Sequence, residues 1–179
     1  MEYGYSCMGY EIAGGLGVKI ARPEREVIVM VGDGSYLMLN SEIATSVMLG
    51  RKLIVVVLDN RGYGCIQRLQ AACGGASFNN MLDDCAAEDG ADVHIDFAAH
   101  AAALGADSVH VPDIAALRTA MTRARAATKT QVIVIDTTHA RTTDDGGCWW
   151  EVAVPQVSER PAVDAAAADS RDAKRAQRP

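Results

Sequence analysis

Two continuous β-branched runs, Glu26-Val27-Ile28-Val29-Met30-Val31 and Leu53-Ile54-Val55-Val56-Val57-Leu58, flank a single helical stretch, and that alternation admits few folds. Short apolar runs without polar interruption read as strands buried on both faces of a parallel sheet. Between them Asn40 to Leu49 repeats apolar residues at helical spacing and stops at Gly50. The segment is therefore a βαβ unit with an expected right-handed crossover. Both runs end in turn formers: Val31-Gly32-Asp33-Gly34-Ser35 after the first, Leu58-Asp59-Asn60-Arg61-Gly62 after the second. Adjacent parallel strands would bring the Asp33 carboxylate and the Asn60 carboxamide, 27 residues apart, to one carboxyl edge. Open α/β sheets bind ligands at that edge, and glycines there let the backbone approach a ligand closely.

The rest of the chain extends the same architecture. Met8 to Ala21 has helical spacing, is rich in glycine (Gly9, Gly14, Gly15, Gly17), and halts at Arg22-Pro23, which predicts a helix packed tightly against another backbone. Arg61 to about Ala91 lacks clear periodicity and carries an acidic cluster, which points to a functional loop with some short helix. Asp96 reads as the N-cap of a helix through Leu104, Ser108 to Val111 as a short strand, Pro112-Asp113 as the start of a helix to Ala127, and Gln131 to Asp136 as the last strand. The expected fold is three-layer α/β/α with a mainly parallel sheet over residues 1–160. Residues 161–179 form a polar, Ala-rich tail, helical or disordered.

Composition narrows the partners. Of 179 residues, 49% are apolar and 22% charged, ordinary for a globular chain, and the net charge of -6 argues against a nucleic-acid or anionic-membrane surface. No apolar run approaches the roughly 20 residues that span a bilayer, and Met1 to Tyr5 lack the regions of a signal peptide, so a cytoplasmic location is expected. Cys7, Cys65, Cys73, Cys85 and Cys148 are widely spaced, with no C-x-x-C pair, and read as reduced, mostly buried thiols. His94, His100, His110 and His139 have no metal-ligand spacing.

Asp33-Gly34 and Asn60 are, singly, ordinary turn residues. Paired at neighbouring strand ends, they meet the needs of magnesium, which takes hard oxygens, keeps waters, and is held by one or two protein groups plus substrate phosphates. An Asn-x-Gly turn can fold the Gly62 carbonyl back as a third protein oxygen. A metal-bound diphosphate would then meet the amides of Gly34 and Ser35 at the start of the following helix. A nicotinamide site is not supported, because Gly62-Tyr63-Gly64-Cys65-Ile66-Gln67 lacks the last glycine of G-x-G-x-x-G and Gly15-Leu16-Gly17 follows no strand.

Gly32-Asp33-Gly34 with Asn60, preceded by Ser6-Cys7-Met8-Gly9-Tyr10-Glu11, resembles the cofactor-binding motif of thiamine-diphosphate-dependent enzymes. Met1 to Gln70 and Trp149 to Val157 are similar to one branch of that family, the ring-opening hydrolases of myo-inositol catabolism. The resemblance implies that Asp33 and Asn60 bind Mg2+ through side chains and Gly62 through its carbonyl. It implies that Gly32, Gly34 and Ser35 contact the diphosphate, that Met8 wedges beneath the cofactor, and that the Ser6 carbonyl accepts from the aminopyrimidine. From pattern alone Met8 reads equally as a flexible core filler. Tyr36, Tyr63, Cys65 and Gln67 stay open between lining the site and packing.

The implied activity is hydrolytic opening of a cyclic trihydroxydione to 5-deoxyglucuronate. The alternatives are an acetolactate-synthase-like lyase and a non-catalytic cofactor-binding fragment. Family members carry a pyrimidine-binding domain whose glutamate activates the cofactor, and Glu2, Glu11 and Glu42 lie in no segment that matches it. The expectation is therefore an N-terminally truncated binding domain with no catalytic residue of its own. It would depend on a pyrimidine-binding domain from elsewhere and be homo-oligomeric when full length. Residues 80–92 match the family poorly.

Overall fold

Alternation along the strands decides which side of the sheet each helix covers. The structure, a computed structural model, describes residues 7–85, 93–138 and 154–176. Its strands are β1 (Ile28–Gly32), β2 (Ile54–Asp59), β3 (Asp107–Val111) and β4 (Gln131–Asp136). They form one all-parallel sheet in the order β1-β2-β4-β3. The helices are α1 (Tyr10–Ala21), α2 (Asp33–Met38), α3 (Ser41–Met48), α4 (Gly64–Ala72), α5 (Phe97–Ala103), α6 (Ile114–Ala126) and α7 (Pro161–Ala176). The described residues fall into two compact units, one drawn from Met1–Gly62 and His94–Thr138, the other from Tyr63–Val93 and His139–Pro179.

The first unit holds the sheet. Val29, Val31, Val55, Val57, Val132 and Val134 point to one face, where Ile12 and Leu16 of α1, Ile43 of α3 and Phe97 of α5 close a core with Tyr36. The alternate positions, Ile54, Val56, Ile133 and Ile135, face Ala120 and Ala124 of α6. This is the expected α/β/α layering. Local signals set the helix starts: Asp96 accepts from the Ala99 amide at 2.8 Å and Asp113 from the Ala116 amide at 2.7 Å. Gly15 answers the glycine richness of α1, since a Cβ there would collide with Val29 Cγ2.

Two expectations need correction. β1 is buried on one face only: Ile28 is 41% and Met30 63% exposed, because β1 is an edge strand and α6 packs on β3 and β4. The cysteines are not mostly buried: Cys7, Cys65 and Cys85 are exposed and Cys73 is partly so, because they stand in loops and on α4 rather than on the sheet-facing stripes. Cys148 lies outside the described residues.

In the second unit the stretch read as a loop contains the nine-residue α4 and a 3-10 turn, Leu82–Asp84. Asn80 ties this stretch together, accepting from the Tyr63 amide at 2.7 Å and donating from Nδ2 to Gln67 Oε1 and Gln70 Oε1 at 3.1 and 2.8 Å. Residues 161–176, read as helical or disordered, form α7, with Val163 and Ala167 buried. No helix among the described residues is long and apolar enough to cross a membrane.

Candidate functional site

The register of β1 on β2 pairs Gly32 with Leu58, so Asp33 and Asn60 leave the sheet at the same edge. Asp33, the first residue of α2, is 2% exposed. Its Oδ2 accepts from the Gly62 amide at 2.5 Å and its Oδ1 from the Asn60 amide at 3.4 Å. The carboxylate thus clamps the turn that follows β2. That turn has an uncommon shape: Arg61 has φ 65° and Gly62 φ 140°, the latter a conformation that side chains other than glycine rarely adopt. Gly62 is therefore fixed by backbone need as well as by its contact with Asp33.

Burial raises the Asp33 pKa above its ordinary value, against the two amides that lower it, and neighbouring Asp59 raises it further. Asp59 is a participant that the sequence reading missed. It is 8% exposed, and its Oδ1 accepts from the Arg61 amide at 2.8 Å. An acidic residue closing an otherwise apolar strand was the available signal. Two buried carboxylates at the ends of neighbouring strands, with no cation side chain set against Asp33 among the causes of its shift, suit a bound cation.

Asn60 supplies the decisive atom. Its Oδ1 is buried and has no hydrogen-bond partner among the described residues. An orphaned buried acceptor costs about 1–3 kcal/mol, so such an atom is expected where a ligand completes it. A carboxylate and an unpaired amide oxygen on residues whose backbones meet form a hard-oxygen donor set that fits a small divalent cation. No three His, Cys, Asp or Glu side chains gather to hold a metal among the described residues, so phosphate, water or backbone oxygens would fill the remaining positions.

The other residues singled out from sequence divide. Gly34 and Ser35 are buried in the first turn of α2, and Gly32 is half-buried as its N-cap. Met8 is 40% exposed just before α1, which does not fit a core filler. Ser6 lies outside the described residues. Tyr36 is a packing residue: it is fully buried, meets Phe97 edge-on with ring centroids 5.4 Å apart, and shares a hydrogen bond between its hydroxyl and His100 Nδ1 at 2.9 Å. Burial pushes its pKa up to about 12. Tyr63, Cys65 and Gln67 belong to the second unit, where Cys65 is exposed and Gln67 serves Asn80. Trp149 and Trp150 lie outside the described residues.

The chain is 45% identical over 170 residues to 3D-(3,5/4)-trihydroxycyclohexane-1,2-dione hydrolase 1 of Bacillus cereus, covering 93% of this chain and 26% of that protein. It is 44% identical, with the same coverage, to the hydrolase of Bacillus anthracis. The chain thus spans about a quarter of the length of these relatives. Among solved structures, the thiamine diphosphate-dependent 4-hydroxybenzoylformate decarboxylase of Rhodococcus jostii RHA1 shares the fold, with TM-score 0.64 and 21% identity over 73% of this chain and 23% of that one. The model of the thiamine pyrophosphate enzyme C-terminal TPP-binding domain matches residues 1–137. By that match and those identities, the chain belongs to the thiamine pyrophosphate enzyme family and carries its C-terminal TPP-binding domain.

Proposed function

We propose that this chain is the cofactor-holding portion of a Mg2+- and thiamine-diphosphate-dependent hydrolase that opens the ring of 3D-(3,5/4)-trihydroxycyclohexane-1,2-dione to 5-deoxyglucuronate. The observation that carries the reading is the corner in which Asp33 clamps the Asn60-Arg61-Gly62 turn and Asn60 Oδ1 stays unpaired. The 44–45% identity to hydrolases named for that dione supports the substrate.

When bound, thiamine diphosphate supplies a nucleophilic thiazolium carbon for breaking a bond next to a ketone. The work of this chain is to hold and orient. Asp33 and Asn60 would grip the metal through side-chain oxygens and Gly62 through its carbonyl, while the Gly62 amide keeps the Asp33 carboxylate from turning. Gly32, Gly34 and Ser35 would meet the diphosphate, exposed Met8 would support the cofactor from below, and the Ser6 carbonyl would accept from the aminopyrimidine. The activating glutamate is expected on a pyrimidine-binding domain outside these residues, and the complete enzyme is expected to be a cytoplasmic homo-oligomer.

Calorimetry with thiamine diphosphate should show binding that requires Mg2+ and disappears in Asp33→Ala; binding indifferent to that change would sink the reading. The 179-residue chain alone should show no ring opening at saturating dione. Measurable turnover would show that the activating group lies within these residues.

A further inference from the structure

Neither the ligand set nor the cofactor contacts use Glu11. It occupies the first turn of α1. Two close approaches bracket its position. One turn later along the helix, Gly15 presses on Val29 in the middle of β1. Two residues earlier, Gly9 abuts α2, where a Cβ would stand 2.8 Å from Met38 Cβ and 3.7 Å from the Ser35 carbonyl oxygen. The helix therefore runs back along β1, from the α2 turn toward the strand centre. A helical turn advances about 5.4 Å and a strand residue about 3.3 Å, so Glu11 stands about two residues beyond Val29, over the Val31–Asp33 end of the strand.

At that place Oε2 of Glu11 is buried and has no hydrogen-bond partner among the described residues. Together with Asn60 Oδ1, it makes a second orphaned acceptor in this unit. Direct ligation is not what the geometry offers. No acidic trio is close enough to hold a metal among the described residues, and the carboxylate acting on Asp33 is Asp59, not Glu11. Facing bare phosphate oxygens, a carboxylate would be repelled. The donor it calls for is a water polarised by a divalent cation, and Mg2+ keeps such waters when proteins bind it.

We propose that Glu11 is a positioning residue that accepts a hydrogen bond from a water carried by the divalent cation at Asp33 and Asn60, and so raises the site's affinity for that cation. The inference rests on the cofactor reading above. The test is calorimetric titration of Mg2+ into the full chain at saturating thiamine diphosphate, for wild type, Glu11→Gln, Glu11→Asp and Asp33→Ala. Glu11→Gln should weaken Mg2+ about tenfold, the low end of what removing such an orienting partner does, with unchanged far-ultraviolet circular dichroism. Glu11→Asp should recover part of that loss. Mg2+ affinity within twofold of wild type in Glu11→Gln, while Asp33→Ala loses binding, overturns this proposal and leaves the cofactor reading standing. Absence of Mg2+-dependent cofactor binding in the wild type overturns both. A purely structural Glu11 would move the unfolding midpoint without moving the Mg2+ affinity.

Discussion

Replacing Asn60 by alanine should affect the empty and the loaded chain in opposite directions. In the empty chain the variant deletes a buried amide oxygen that has no partner, relieving about 1–3 kcal/mol, and forfeits the packing of a small half-buried side chain, about 1 kcal/mol. The backbone amide that Asn60 gives to Asp33 Oδ1 survives the change. The net effect is a gain of about 0–2 kcal/mol, which for a chain of this size raises the melting midpoint by up to about 8 °C. With Mg2+ and thiamine diphosphate at about a hundred times their dissociation constants, wild type should gain about 2.7 kcal/mol by mass action, a rise of about 5–11 °C. The variant should lose most of that rise. Differential scanning calorimetry of both proteins, with and without ligands, reads all four midpoints. An empty Asn60→Ala that melts more than about 4 °C below wild type would show that the side chain holds the turn together, and the argument from its orphaned oxygen would fail.

Two further outcomes follow from the same geometry. Burial and Asp59 raise the Asp33 pKa above 3.8, so its protonated form favours the folded state. Its contribution to the stability of the empty chain is fully present below the unfolded value and is lost as pH rises through the folded one. Cation binding needs the anion, so Mg2+ affinity should begin to fall on the acid side at a pH above 3.8; calorimetric titrations showing flat affinity down to that pH would contradict this. In α1, Gly15→Ala should destabilise by about 1–2 kcal/mol, a clash with Val29 partly offset by better helix propensity. Gly17→Ala, with nothing within 4 Å of its Cβ position among the described residues, should stabilise by up to about 1 kcal/mol. Urea midpoints moving in the same direction for both would refute the packing argument.

What could be read from the sequence was whatever the chain decides locally. The caps at Asp96 and Asp113 are satisfied within three residues, and β4 runs from Gln131 to Asp136 as its apolar run implies. The Asp33 and Asn60 corner was legible because each residue ends a strand and the strands are neighbours. Position within the sheet was not legible. A run such as Ile28 to Val31 looks the same at an edge as in the middle, and only the placement of α6 over β3 and β4 exposes Met30. Helix α4 begins on Gly64 and carries Gln67, Arg68 and Gln70, so its narrow stripe of Ile66 and Leu69 supported only some short helix in this stretch and not its bounds. Glu11 was hidden for another reason: the burial of its Oε2 depends on how α1 packs on other elements, which no spacing within α1 reveals.

The 27-residue interval between Asp33 and Asn60 announces the site, but it does not hold it. What holds it is the pairing of Gly32 with Leu58 and two amides given to a single carboxylate. The crossover between them can therefore change length at no cost to the corner, provided the new residues enter at the exposed Gly50 turn, whose Cβ direction is open among the described residues. A slip of one residue between β1 and β2, with the count left untouched, would carry Asn60 past Asp33 and reverse the faces of a whole strand. A search that fixes the count would pass over relatives with a longer crossover, whereas one that fixes strand ends would find them.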